Sequence, residues 1–286
     1  MKNKDYSNRI LDESGHRMIQ MGLNLIREGK ELLSKSNYQS ITVVSRWCND
    51  EMIAPFFLDH YSYADEIIIL LSQETTDNSR ETISNYPNTR IVEFEYTNGI
   101  FDGKESTDQM ESVINQVTTN WIIAVDADEF VWPNGFKDIR EVLCGIDGNI
   151  IYADMWQVYR HRTEMDLDPT LKAIWLRRHG DPNRTDGENA RYCKPIIFRS
   201  GLNLKWGIGF HAFELNPIVQ VSKVRFDGAH WMMADPELAI VRRLRGRKEK
   251  VSKRNIKNKW SNNNFDITEE EIKRICNEHL DDPQLF

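Results

Sequence analysis

Trp121-Ile122-Ile123-Ala124-Val125-Asp126-Ala127-Asp128-Glu129-Phe130-Val131-Trp132 is an apolar run that ends in acids. Trp121 to Val125 is short, partly β-branched and preceded by Thr118-Thr119-Asn120. It therefore reads as a buried strand. Asp126, Asp128 and Glu129 then arrive together where the strand ends. Carboxylates that close repel one another unless a cation or a well-hydrated turn separates them. Hard divalent cations such as Mg²⁺ and Mn²⁺ take oxygen ligands and often share them with substrate phosphates. One reading is thus a metal–diphosphate site at the carboxyl end of a central strand, where open α/β sheets bind ligands. The other is an acidic turn that merely caps the strand. An acid-x-acid triplet is common by chance, so the surrounding chain has to decide.

Upstream, Ile41-Thr42-Val43-Val44-Ser45 is a first strand, followed by a helix from about Met52 to Tyr61. Asp65 to Leu71 is a second strand, nearly all apolar, as one covered on both faces should be. The polar loop 75–79 precedes a short helix at Arg80 to Ser84. Arg90 to Glu95 is a third strand, and Thr107 to Val117 is a helix leading into the opening stretch. Strands alternating with helices in this way predict a parallel, doubly wound sheet with its site at the strands' carboxyl ends. Neither GxGxxG nor GxxxxGK[ST] is present, which disfavours the usual dinucleotide and P-loop folds.

The 286 residues allow one large α/β domain with additions. A net charge of −7 argues against indiscriminate nucleic-acid binding. Four scattered cysteines, with no CxxC, favour reduced thiols in an intracellular protein. No apolar run approaches the roughly 20 residues that span a bilayer, and no signal peptide is visible, so a cytoplasmic location is expected. The spacing of Ile10, Leu11, Met18, Met21, Leu25 and Ile26 predicts one or two N-terminal helices without chemistry.

Within 41–132, Asn49 and Glu51 open the first helix, and Asp65-Glu66-Ile67 enters the second strand. Thr75-Thr76-Asp77-Asn78-Ser79 follows it, and Asp126-Ala127-Asp128-Glu129 ends the fourth. These motifs, in this order, resemble the nucleotide-sugar half of a family 2-type glycosyltransferase with the GT-A fold. The Asn-Glu pair is interrupted by Asp50, and Leu71-Ser72-Gln73-Glu74 stands where the family usually carries an acid. The resemblance implies a mixed, mostly parallel α/β sheet with helices on both faces. It also implies a nucleoside-diphosphate-sugar donor, with a UDP-sugar favoured, and Mn²⁺ or Mg²⁺ as cofactor. Ser45, Asn49, Glu51, Ser72, Asp77 and Asp126 are the expected donor contacts. Asp128 is the expected metal ligand, with Asp126 reaching the ribose or the metal, and Glu129 lies close by.

The second half should serve the acceptor. Residues 149–159 and 192–199 read as strands, and 160–191 as a long, partly ordered loop suited to a flap over the donor site. The stretches around His211 and His230 match the family's later motifs, so the resemblance makes His230 a metal ligand and lets His211 line the site. Taken alone, each histidine is more often a satisfied core residue. An inverting transfer needs a carboxylate base, for which Glu214 and Asp154 are put forward. Trp206 can stack on a sugar or simply pack. Asp235 caps a helix with Pro236 at its first position, and Thr268 with Glu271 forms a capping box before the last one. Between them, 242–259 is almost purely basic: a solvated face, a reach back to the donor diphosphate, or a dock for an anionic acceptor. The expected organisation is an N-terminal extension (1–40), a catalytic domain (41–232, divided at 132/133) and a C-terminal basic helical region (233–286). The leading reading is a metal-dependent, inverting glycosyltransferase with an unidentified acceptor, whether polysaccharide, lipid-linked sugar, peptide or modified nucleic acid. The alternatives are a nucleotidyltransferase, or a binding protein for carbohydrate or nucleic acid that kept the fold and lost the chemistry.

Overall fold

Val43 and Val44 point to opposite faces of strand β1 (Ile41–Trp47), and each belongs to a separate core. The computed structural model describes residues 20–22, 25, 38–168, 170–171, 174–182, 192–214, 216–245, 251–258 and 267–286. The chain forms two units, 1–39 and 40–286. In the first, residues 20–22 and 25 are helical, and most of the expected N-terminal helices lie outside the described residues. The second unit holds the whole sheet and the acidic turn.

Strands β2 (Glu66–Ser72), β3 (Thr89–Phe94) and β4 (Trp121–Asp126) join β1 in parallel. Alternate side chains of this layer face helix α1 (Ala54–His60) through Ile67, Ile69, Trp121 and Ile123, packed with Phe56 and Phe57. The other set, with Val44, Ile68, Ile122 and Ala124, packs with Met110 and Ile114 of α3 (Gly103–Ile114). Burial on both faces explains why these strands read as continuous apolar runs. A short helix α2 (Ser79–Ser84) connects β2 to β3.

The second half completes the sheet with β5 (Glu129–Pro133), β6 (Ile150–Gln157), β7 (Tyr192–Arg199) and β8 (Val221–His230), helix α4 (Ile139–Cys144) following β5. The strand order is β3-β2-β1-β4-β7-β6-β8-β5. β7 runs antiparallel to β4 and β6, β8 is parallel to β6, and β5 is antiparallel to β8. The fold class is the α/β one expected, with a mixed, mostly parallel sheet and helices on both faces. The sequence reading stops its strand at Val125, but the chain turns at Ala127-Asp128 and re-enters the sheet as β5. The three steps from Asp126 to Glu129 reach only about 10 Å. Yet β7, β6 and β8 lie between β4 and β5 in the sheet. The sheet must therefore curl until its far edge meets the end of β4, and the acidic turn sits at that closure. Gly228 allows it: a Cβ there would come within 2.9 Å of the Phe130 carbonyl and closer still to Met155.

Helix α1 fixes the same turn from below. Tyr61 donates from its hydroxyl to the Glu129 carbonyl at 2.9 Å and accepts from the Val131 amide at 3.1 Å. His60 Nε2 donates to the Val131 carbonyl at 3.0 Å. Desolvation lowers the His60 pKa to about 4, against the carbonyl bond that raises it. Above pH 6.5 neither folded nor unfolded chain carries the proton. Between 6.5 and about 4 only the unfolded chain binds it, so stability falls as the pH drops through that window. Allowing for partial exposure, the expected loss is about 2 kcal/mol. Denaturant titrations of wild type and His60→Asn at pH 7 and 4.5 check this. An equal loss in the two proteins would show that His60 is not the group responsible.

At the C-terminal end, Asp235 caps α5 (Pro236–Ile240), its side chain accepting from the Glu237 amide, with Pro236 at the first turn. The chain continues into a π-helical turn, Val241–Arg245, then α6 (Lys253–Asn258). Thr268 and Glu271 make the expected capping box of α7 (Glu269–Glu278). The described part of 160–191 is anchored to the domain through a buried residue. Arg177 is fully buried, donates to the carbonyls of Ala234, Met165 and Leu176 and pairs with Asp235. Residues 183–191 lie outside the described residues. Among the described residues no helix is long and apolar enough to cross a membrane.

Candidate active site

The ends of β1 and β4 bring Arg46 and Asp126 into register, and the curled second half places residues of β5, β7 and β8 against them. Glu129 is the hub. Its side chain is 1% exposed, and its Oε2 accepts from the Asp126 amide at 3.0 Å. Oε1 accepts from Tyr192 at 2.8 Å and from Lys194 Nζ at 2.5 Å. Lys194 also reaches Asp126 at 3.2 Å. Burial works against the Lys194 ammonium, but Glu129 and Asp126 outweigh it and hold its pKa above the ordinary value. Burial first, then the Glu129 carboxylate, pushes the Tyr192 phenol far up, so it is a permanent donor.

Asp128 lies on the other side of the turn, its carbonyl accepting from the Trp231 amide at 2.8 Å. Its Oδ2 is 3.4 Å from His230 Nε2 and 3.3 Å from Arg242 Nη2. Arg242 also bonds Asp50 Oδ1 at 2.6 Å. Arg46 Nη2 stands 3.6 Å from Asp126 Oδ1. Asp50, Asp126, Asp128 and Glu129 are thus interleaved with Arg46, Lys194 and Arg242. The Asp126 side chain is 38% exposed where that of Asp128 is 5%, so Asp126 is the acid that faces outward.

Most expected donor contacts turn out to shape this rim. Asn49, at φ 57°, accepts the amides of Thr76 at 2.8 Å and Asp77 at 3.3 Å. Glu51 accepts from the Asn78 amide and side chain, while Asp77 accepts the amides of Glu51 and Ser79. These residues knit together the loops after β1 and β2. Ser45 and Ser72 are fully buried and accept from the Trp47 indole and the Glu74 amide. Trp206 is a core residue among Phe198, Phe210 and Phe213. Asp154 is not in the cluster. It pairs across the sheet with Cys193, on the face opposite Lys194, and both its oxygens bond Arg225. His211 comes to 5.8 Å, ring to ring, from Tyr192. Desolvation first and Lys194 second hold its imidazole below the usual pKa. Glu214, three residues on, is exposed, its amide bonded to the Lys205 carbonyl.

The sequence reading did not assign Arg46, Asp50, Tyr192 or Lys194. Asp50 stood in plain sight as the residue interrupting the Asn-Glu pair; it is buried, and its Oδ2 accepts the Cys48 amide. Of the basic segment, Arg242 enters the cluster and Arg254 is engaged with Asp102, while Lys253 and Lys257 are exposed.

Two donors bound to one ion at cis positions lie about 3 Å apart. The 3.4 Å between Asp128 and His230 is close to that spacing. Among the described residues no three His, Cys, Asp or Glu side chains converge into a closed cage.

No protein-family model matches the chain, and no curated protein matches it. Among solved structures it is similar to residues 1–349 of S. aureus TarS, at 12% identity and a TM-score of 0.39, over 85% of this chain and 71% of that one. The same TarS segment in complex with UDP-GlcNAc matches at 14% and 0.38, over 85% and 72%. Glucosyl-3-phosphoglycerate synthase from Mycobacterium tuberculosis, in complex with Mn²⁺, UDP and phosphoglyceric acid, matches at 14% and 0.29, over 42% and 43%. At such identities and TM-scores these matches say nothing of activity.

Proposed function

We propose that the protein is a metal-dependent glycosyltransferase that moves a sugar from a nucleoside-diphosphate sugar, a UDP-sugar by preference, to an acceptor with inversion. The observation that carries this reading is the Asp128–His230 pair beside the outward-facing Asp126, at the carboxyl ends of β1 and β4. Asp128 and His230 would hold a divalent ion, which when bound offsets the charge growing on the departing diphosphate. Arg242 and Arg46 add fixed positive charge at the same place. Asp126 is left to meet the donor's ribose or a metal-bound water. Asn49, Glu51 and Asp77 hold the rim that the nucleotide would lie against.

Of the two carboxylates put forward as the base, Glu214 is the one we keep. It is on the same loop as His211, whereas Asp154 is tied to Arg225 on the opposite face. A cytoplasmic location belongs to the same proposal and rests on four cysteines that form no disulfide.

Calorimetric titration of UDP and of GDP, each with Mn²⁺ and with EDTA, tests the reading. The expected result is binding of one nucleotide that EDTA abolishes. Binding indifferent to EDTA would favour a binding protein that kept the fold, and no binding by folded protein would remove the transferase reading altogether.

A further inference from the structure

Asp128 Oδ2 faces two groups at nearly equal distance, the His230 imidazole at 3.4 Å and the Arg242 guanidinium at 3.3 Å. Arg242 is not a loose surface side chain. Its side chain is 11% exposed, it rides on the π-helical turn that follows α5, and its other nitrogen bonds buried Asp50 at 2.6 Å. The guanidinium thus already compensates the one buried carboxylate that a divalent ion would need. An ion on Oδ2 and Nε2 would lie beside a fixed positive charge in a poorly solvated place, where like charges repel strongly. A diphosphate changes the balance, because its oxygens give the guanidinium a bidentate partner and screen the two cations from each other.

Resting on the transferase reading, we propose that Arg242 is a gate that couples metal to nucleotide: it holds the divalent ion off Asp128 until a diphosphate takes up the guanidinium. Linkage makes this reciprocal, so the metal tightens the nucleotide by the same factor as the nucleotide tightens the metal. Arg242 acts here as a positioning residue. Its role is separable from that of Asp128 and His230, because removing it should improve one property of the site while harming another.

Mn²⁺ binding is read directly by the loss of its free-ion electron paramagnetic resonance signal. The proteins are wild type and Arg242→Gln, with Arg242→Met in its place should the glutamine variant not fold. In wild type, saturating UDP is expected to tighten Mn²⁺ binding by about 100-fold. Arg242→Gln is expected to bind Mn²⁺ alone about tenfold more tightly than wild type, which lowers the enhancement by UDP to about tenfold, the part owed to phosphate oxygens on the ion itself. A variant that binds Mn²⁺ alone no more tightly than wild type, while Mn²⁺ and UDP still bind together, would overturn the gate and leave the transferase reading standing. Equal Mn²⁺ affinity with and without UDP in wild type would also overturn it. Failure of wild type to bind UDP under any condition would overturn both.

Discussion

Asp128→Asn should lose at least about 100-fold in Mn²⁺ affinity in the presence of UDP, and about 10³-fold in the rate of nucleotide-sugar turnover. The size follows from where the carboxylate sits. It is 5% exposed, its backbone is held by the Trp231 amide, and the imidazole of His230 is its nearest partner suited to a metal. Two of the neighbouring acids are already engaged. Glu129 is consumed by Lys194, Tyr192 and the Asp126 amide, and Asp50 holds Arg242. Asparagine has the same shape and leaves Arg242 its bond to Asp50, so the fold should survive. Asp126→Asn is the matched control. That side chain is 38% exposed and contacts Arg46 and Lys194 rather than His230. Its loss should weaken UDP more than Mn²⁺. Calorimetry on the two variants separates the roles, and an Asp128→Asn protein that still binds Mn²⁺ and UDP like wild type would discard the assignment of the metal to this pair.

The sequence disclosed the strands of the first half and the acids at their end, because a strand buried on both faces must be an unbroken apolar run and a site at its end must break that run. It could not disclose the curl. Nothing in Phe130-Val131-Trp132 tells that these residues pair with β8 at the far edge instead of ending a strand. Lys194 and Tyr192 are 65 and 63 residues from Glu129 and become neighbours only through that closure. Asp154 failed for a related reason. Which face a side chain takes depends on strand parity, and the pairing of β6 with β7 is irregular between Ile151 and Ala153. Motif position singles out Ser45 and Ser72, yet each is fully buried and its hydroxyl accepts a bond from a residue two positions on. Arg242 was one cation among many in a basic run. What singles it out is Asp50, 192 residues away and unreadable as its partner from order alone.

Removing Lys194 should be the most destabilising single change in the site. Its side chain is 3% exposed against 1% for Glu129, at 2.5 Å. A buried pair broken on one side leaves an uncompensated charge, and Lys194→Met or Glu129→Gln is each expected to cost about 3–5 kcal/mol. The pair is worth less than either loss suggests, because taking two charges out of water is itself costly. The double variant Lys194→Met, Glu129→Gln should therefore be more stable than the Lys194 variant alone. A glutamine oxygen can still accept from the Asp126 amide, and methionine fills the space of the lysine stem. Denaturant unfolding of wild type, both single variants and the double variant gives the coupling directly; recovery past the Lys194 variant requires a coupling larger than the Glu129→Gln loss, at least about 3 kcal/mol. Additive losses, with no recovery in the double variant, would mean that Lys194 and Glu129 act independently. The clamp on the acidic turn would then have to come from Tyr61 and Tyr192, which bond the backbone and the side chain of Glu129. Recovery of stability without recovery of UDP binding would assign Lys194 two tasks: closing the curled sheet onto the end of β4, and keeping positive charge beside the open carboxylate of Asp126.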